Sequence, residues 1–420
     1  MTTYAQNSVT WKSAFILSVL LLCSALFGYE GDSDDWEQYR GHNRDGVSHS
    51  ENLLESWPED GLSLRWQQAI GDGFSGVVIS GDKLYSMYSE DSTEFLACFA
   101  ESTGEEVWRL AVGEMFVDEF GNGPRSTPAI DGDMIFALGS MGNLFAAHKT
   151  SGEELWQVSF TEKYESKVPT RGFSSSPIID GDKLITDIGG GEGEAIGAFD
   201  KRTGENLWTV FNGSPDYTSP IKVTIHNTPQ IVFRNMLRKK SGFDFHALAL
   251  SSDGDIIWQA ETSGLVMAMP VFIPPDRLFF SSSNETGIMM QVVQDESGAF
   301  SAKELWSKPT MKNHFNSSVL HEGHLYGFSI ATLKCIDIET GKVKWAKRGL
   351  GKGSLVLTGD RLVILSDKGK LVLAEASPEK FIQISAFQAL NGKCWTMPTI
   401  VGGNIYVRNQ SEMASYKLSK

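Results

Sequence analysis

The sequence predicts an all-β protein, an eight-bladed β-propeller of four-stranded antiparallel blades closed by the N-terminal strand. Three observations predict it. Short apolar or alternating runs are broken by Gly, Asp and Asn, the pattern of antiparallel hairpins. A glycine-to-tryptophan unit recurs at Gly104 and Trp108, Gly152 and Trp156, Gly204 and Trp208, Gly254 and Trp258, and Gly341 and Trp345. A sixth copy ends at Trp306, with its glycine, Gly298, displaced upstream by an insertion. The intervals between these tryptophans, from Trp108 to Trp345, are 48, 52, 50, 48 and 39 residues, the repeat length of a propeller blade.

Each element follows from the repeat. In the stretch Asp131 to Trp156, turns at Asp131-Gly132-Asp133, Met141-Gly142-Asn143 and Ser151-Gly152 separate four strands. Glycine takes the positive φ that closes the last hairpin. The tryptophan then enters the fourth strand and offers its flat face to the next blade. First strands are expected to begin near Val77, Ser126, Ser174, Thr218, Ala268, Ser317, Ser354 and Thr396. The eighth unit has three strands before Lys420. The missing one is expected at SLRW, ending at Trp66, which resembles the fourth-strand endings EELW, ENLW, KELW and KVKW. Trp66, Trp108, Trp156, Trp208, Trp258, Trp306 and Trp345 are therefore expected to dock the blades.

The chain divides into residues 1–28, 29–61 and 62–420. The first reads as a signal peptide. Lys12 precedes an apolar run too short for a membrane span, so no stable span is expected. Cys23 lacks the small preceding residue that lipidation wants. The second segment, with Trp36, Tyr39, Arg40 and Trp57, shows no periodicity and is expected to lie along the propeller surface. The third is the propeller. Cys98 and Cys335 are placed in third strands as small core residues, matched by Ala147 and Ala198. The run Arg234, Arg238, Lys239, Lys240 is expected on an exposed hairpin, and Gly189 to Glu194 as a hairpin loop.

A net charge of −15 disfavours nucleic acid and anionic membranes as partners. Neither a serine-hydrolase elbow nor a zinc-protease motif is present. His321 and His324 flank a solvent turn, without a metal motif around them. The loops that lead into the innermost strands share one mouth of the central channel. They bring Arg125, Arg171, Tyr217, Asn313, His314, Lys352 and Trp395 toward one ring. Cations, amides and aromatics on a funnel suit a polar or anionic ligand, with specificity on Arg125, Arg171, His314 and Lys352. In the alternative, the cations brace loops or pair with Asp118, Glu119 or Asp216.

The Gly-to-Trp unit resembles the pyrroloquinoline-quinone-type (PQQ-like, tryptophan-docking) propeller repeat over about residues 62–420. The segments WEQYRGHNRDGVS, NHFNSSVLHEGHLYGF, RGLGKGSLVL and LVLAEASPE resemble a subgroup of it common in planctomycete-type bacteria. The family includes BamB-like envelope propellers and quinoprotein alcohol dehydrogenases. The resemblance implies an exported, monomeric binding or scaffold protein of the cell envelope or periplasm. It would have no catalysis and no cofactor of its own, and would hold an envelope protein or a small polar or anionic ligand. The competing implication is a quinoprotein oxidoreductase holding PQQ and calcium in the funnel. The adjacent cysteine pair of those dehydrogenases is missing here.

Overall fold

The structure, a computed structural model, describes residues 1–2, 35–215, 217–239 and 242–420. The expected targeting segment with Cys23, Asp216, Lys240 and the side chains of Arg238 and Lys239 lie outside the described residues. Eight antiparallel sheets follow one another along the chain. Blade 1 is Val78–Ser80, Lys83–Glu90, Thr93–Ala100 and Glu106–Glu114. The innermost strands of blades 2 to 8 are Ala129–Asp131, Ile178–Asp180, Ile221–Ile225, Val271–Ile273, Val319–His321, Ser354–Thr358 and Thr399–Val401. Blade 8 takes its outer strand from the start of the chain: Leu64–Ala69 pairs antiparallel with Glu412–Lys417, placing Trp66 opposite Ser415. The ring therefore closes by hydrogen bonds between its two ends, leaving no open seam.

The docking of blades has a repeated geometry. Trp66, Trp108, Trp156, Trp208, Trp306 and Trp345 each donate the indole N–H to a carbonyl at the next blade, on Glu101, Lys149, Lys201, Ser252, Ile338 and Ser377 at 2.8–3.1 Å. The turn glycine lies under the ring. A Cβ on Gly152 would come within 2.6 Å of Trp108, and one on Gly204 within 2.6 Å of Trp156. Glycine thus meets two demands here, a positive φ (74° and 71°) and close approach to an indole. The insertion at Gly298 breaks the pattern: no indole lies near it, and Trp258 donates instead to Gln230 Oε1 within its own blade. Where blade 7 lacks the glycine, Phe381 packs edge-on to Trp345 at 5.6 Å.

The innermost strands begin near the expected residues. Ser126, Ser174, Thr218, Ser317 and Thr396 precede the strands by two or more residues. There, hydroxyls tie neighbouring blades together around the channel. Amides of Gly76, Thr127, Ser176 and Met269 donate to the side chains of Thr127, Ser176, Ser219 and Ser317 at 2.8–2.9 Å. In blade 2 the small residue opposite the tryptophan is Ala146, one before Ala147, because a bulge shifts the register. Blade 4 lacks an Asp-Gly turn and turns instead at His226-Asn227, both at positive φ. Arg234 is not on an exposed hairpin. It is 1 % exposed and donates to Gly264 O and Thr262 Oγ1.

The arm differs most from expectation. Residues 36–48 run through the channel, while residues 52–57 lie along blades 8 and 7 as expected, with Leu54 bonded to Leu418 and Trp57 to Ser385. Trp36 exchanges backbone bonds with Ile79 of blade 1, Glu37 accepts from Ile130 of blade 2, and Gly46 accepts from Leu357 of blade 7. Val47–Ser48 adds a parallel strand inside Ser354–Thr358. Ser48 Oγ reaches Ile400 O of blade 8 at 2.8 Å. Arg40 donates to Ser317 O and Ser318 O of blade 6, and Arg44 to Ser176 O and Pro177 O of blade 3. Backbone carbonyls left inside a ring need donors, and the two guanidiniums supply them.

Candidate functional site

Antiparallel order puts two sets of loops on the same face of the ring: those leading into each first strand, and the hairpins between second and third strands. Together they wall a cavity of about 1330 Å³ at the mouth of the channel. The lining includes Arg125, Arg171, Tyr217, His314, Lys352 and Trp395. Asn313 is not part of it. That amide is buried, accepts from Ser318 Oγ and donates to Phe328 O, so it braces the loop of blade 6. Sequence reasoning missed the hairpin contribution: Gly189 to Gly191 and Glu194 of blade 3, Phe243 and Phe245 of blade 4, and Asn284 of blade 5. Antiparallel order places these turns on the entry face, but their irregular sequences hid which side chains line the cavity. Sequence reasoning also missed the floor, where Tyr39 of the arm faces the cavity.

One wall is aromatic. Trp395 lies 4.7 Å from Phe315, 5.6 Å from Phe74 and 6.3 Å from Phe120 between ring centroids. Lys393 and Lys352 sit over its ring at 4.7 and 5.8 Å. Phe120 and, on blade 4, Phe243 remain exposed at the rim.

Arg125 and Arg171 follow the alternative reading, pairing with acids and bracing carbonyls. Arg171 donates to Asp118 Oδ2 at 3.0 Å and to Glu119 Oε1 at 3.1 Å. Arg125 lies 3.7 Å from the same Asp118 and donates to the carbonyls of Gly121 and Gly123. Burial would raise the Asp118 carboxyl, but the Phe120 amide and the two arginines hold it below the usual range. His314 is neutral: burial, with Lys352 close by, pulls it down to about 4. Its Nδ1 is buried without a partner. Lys352 makes no ion pair among the described residues. No helix of the described residues is long and apolar enough to cross a membrane.

Comparison with known proteins adds the lineage. Residues 92–347, more than half of the chain, match the family of outer membrane protein assembly factor BamB. The chain belongs to that family. Its members include the BamB of Shewanella oneidensis, to which the chain is 22 % identical over 362 residues, covering 74 % of this chain and 88 % of that one. The crystal structure of BamB from Moraxella catarrhalis superposes with a TM-score of 0.56 at 13 % identity, covering 84 % of this chain and 97 % of that one. A europium-containing methanol dehydrogenase superposes with a TM-score of 0.67 at 12 % identity, over 91 % and 98 %. At such identities the likeness is one of fold.

The competing expectation from the sequence resemblance is a quinone with calcium. Calcium takes roughly six to eight oxygen ligands. Among the described residues no three His, Cys, Asp or Glu side chains converge to hold a metal ion. Asp118 in the wall is engaged by two arginines. The three described cysteines are separately buried and free. No chemistry is derived through this group.

Proposed function

We propose that the protein is an exported scaffold of the cell envelope that docks a segment of a partner protein at its channel mouth. The family match supports an envelope setting and an assembly role, since the relatives are named as outer membrane assembly factors. The observation that carries the docking reading is the rim. Exposed Phe120 and Phe243 stand on different blades around a deep cavity, while the acid and arginines beside them are already paired. Rigid aromatic anchors around a concavity are the usual means of holding a protein segment. Self-neutralised charges fix the loops that carry them.

Site-specific photo-crosslinking in intact envelopes tests this. A benzophenone side chain at Phe120 or Phe243 is expected to capture one discrete envelope polypeptide. The same probe at Leu305, on the outer circumference, is expected to capture none. Absence of capture from the mouth, or equal capture from Leu305, counts against docking. Incubation with PQQ and calcium tests the oxidoreductase reading directly: a tightly bound chromophore that turns over alcohols would replace the scaffold reading.

A further inference from the structure

The arm crosses the channel below the cavity, with Tyr39 in the lining and Arg40 and Arg44 bonded to blades 6 and 3 on either side. An extended chain cannot thread such a channel. It enters by an end, and the charge at the floor decides which.

That charge is positive. Arg40 and Arg44 are 2 % and 3 % exposed, and their hydrogen bonds go to carbonyls, the Gln38 side chain and the Met397 sulfur, none to a carboxylate. Asp45 is the acid that acts on Arg40, and burial raises its own carboxyl, which weakens it as a counter-charge. Arg44 has only Tyr39 acting on it, and its Nε is buried without a partner. On the wall above, Lys352 is unpaired among the described residues, and His314, also in the lining, has a buried Nδ1 without a partner. A buried unsatisfied nitrogen beside a lysine without a carboxylate partner favours an anion that reaches both, while the carbonyl-bonded guanidiniums below add positive charge. In a chain of net charge −15, a cationic floor also draws an anion inward rather than elsewhere.

We infer that the cavity receives the C-terminal end of a polypeptide, its carboxylate against Lys352 and His314 over the Tyr39 floor and its last apolar side chains along the aromatic wall. This rests on the docking reading and specifies its occupant. An N-terminal ammonium is repelled by the floor, and an internal segment has no path out. The carboxylate accepts from Lys352 Nζ and from the histidine N–H, charge-assisted bonds stronger than neutral ones. The apolar residues behind it meet Phe315, Trp395 and Met397.

The test uses the full mature chain and the probe peptide acetyl-Ser-Val-Ala-Leu-Val-Leu, as free acid and as C-terminal amide. Calorimetry is expected to show the acid binding at least about tenfold more tightly than the amide, the loss of one charge-assisted contact. Lys352→Met is expected to abolish the difference without changing the melting temperature. Lys393→Met, over the same indole but bonded to the Phe120 carbonyl, is expected to keep it. The imidazole NMR signal of His314 is expected to shift with the acid and stay still with the amide. Equal binding of the two peptides overturns the inference, as does no binding of either at millimolar concentration. So does benzoate binding with the same Lys352 dependence when the peptide acid does not bind, since the site would then be one for small anions. Any of these results alongside intact crosslinking from Phe120 and Phe243 leaves the scaffold reading standing and removes only its occupant.

Discussion

At the residue scale, the two mouth histidine and lysine side chains make a measurable pair. Burial and the neighbouring Lys352 charge hold His314 at about 4, below the ordinary 6.5. In the unfolded chain the imidazole takes up a proton as pH falls through 6.5, while in the folded chain it stays neutral until about 4. Unfolded molecules then bind more protons over that window, so His314 lowers stability as pH falls through it. Histidine NMR is expected to show one ring titrating near 4, rising toward the ordinary value in Lys352→Met. A His314 that titrates near 6.5 in the wild type contradicts this environment. The same scale shows what the sequence hides. Arg125 and Arg171 read as funnel cations because their loops were legible from the repeat. Their shared partner, Asp118, lies 53 residues from Arg171 and in a loop without a motif, so only the folded ring brings the three together.

At the scale of elements, the glycine-to-tryptophan unit carries most of the inter-blade order. Trp156 is 8 % exposed, packs 6.2 Å from Phe136, covers Gly204 and donates to Lys201 O at 3.0 Å. Trp156→Ala is expected to destabilise the fold by about 3–5 kcal/mol, the cost of a large aromatic cavity and of an orphaned carbonyl. Chemical denaturation measures it, and a change of only a few tenths would show that blades do not dock through these indoles. The unit was legible because close approach and a positive φ leave only glycine. The hairpins that wall the cavity were not, because Phe243 and Glu194 stand in irregular stretches where neither period nor turn type repeats. The serine and threonine ring was visible as recurrent S-T-P, S-S-P and T-S-P. Hydroxyls at strand starts read equally as strand residues, and only the cross-blade amides reveal their role.

At the scale of the whole molecule, the arm and the closing strand have separable roles. Deleting residues 29–61 removes the floor and the two buried tryptophans Trp36 and Trp57 but keeps Leu64–Ala69 against Glu412–Lys417. That variant is expected to stay monomeric and β-rich, with stability lower by about 5 kcal/mol or more. Deleting residues 29–70 also strips the outer strand of blade 8 and is expected to aggregate, since Glu412–Lys417 becomes a bare edge. Gel filtration and thermal melts compare the two, and equal behaviour would show that the strand does not close the ring. Architecture was legible at this scale because repetition states it eight times. The arm occurs once and has no period, so its passage through the channel left no mark in the sequence beyond unusually many aromatic and arginine residues. The seam also sets a schedule. A chain synthesised from its N-terminus presents Leu64–Ala69 first and its partner Glu412–Lys417 last. For the whole interval the earliest strand waits without its neighbour, and the arm waits for carbonyls of blade 6 that have not yet arrived. Completion is therefore an event of release rather than of synthesis, and the unfinished ring is the form in which this protein most needs protection from other strands.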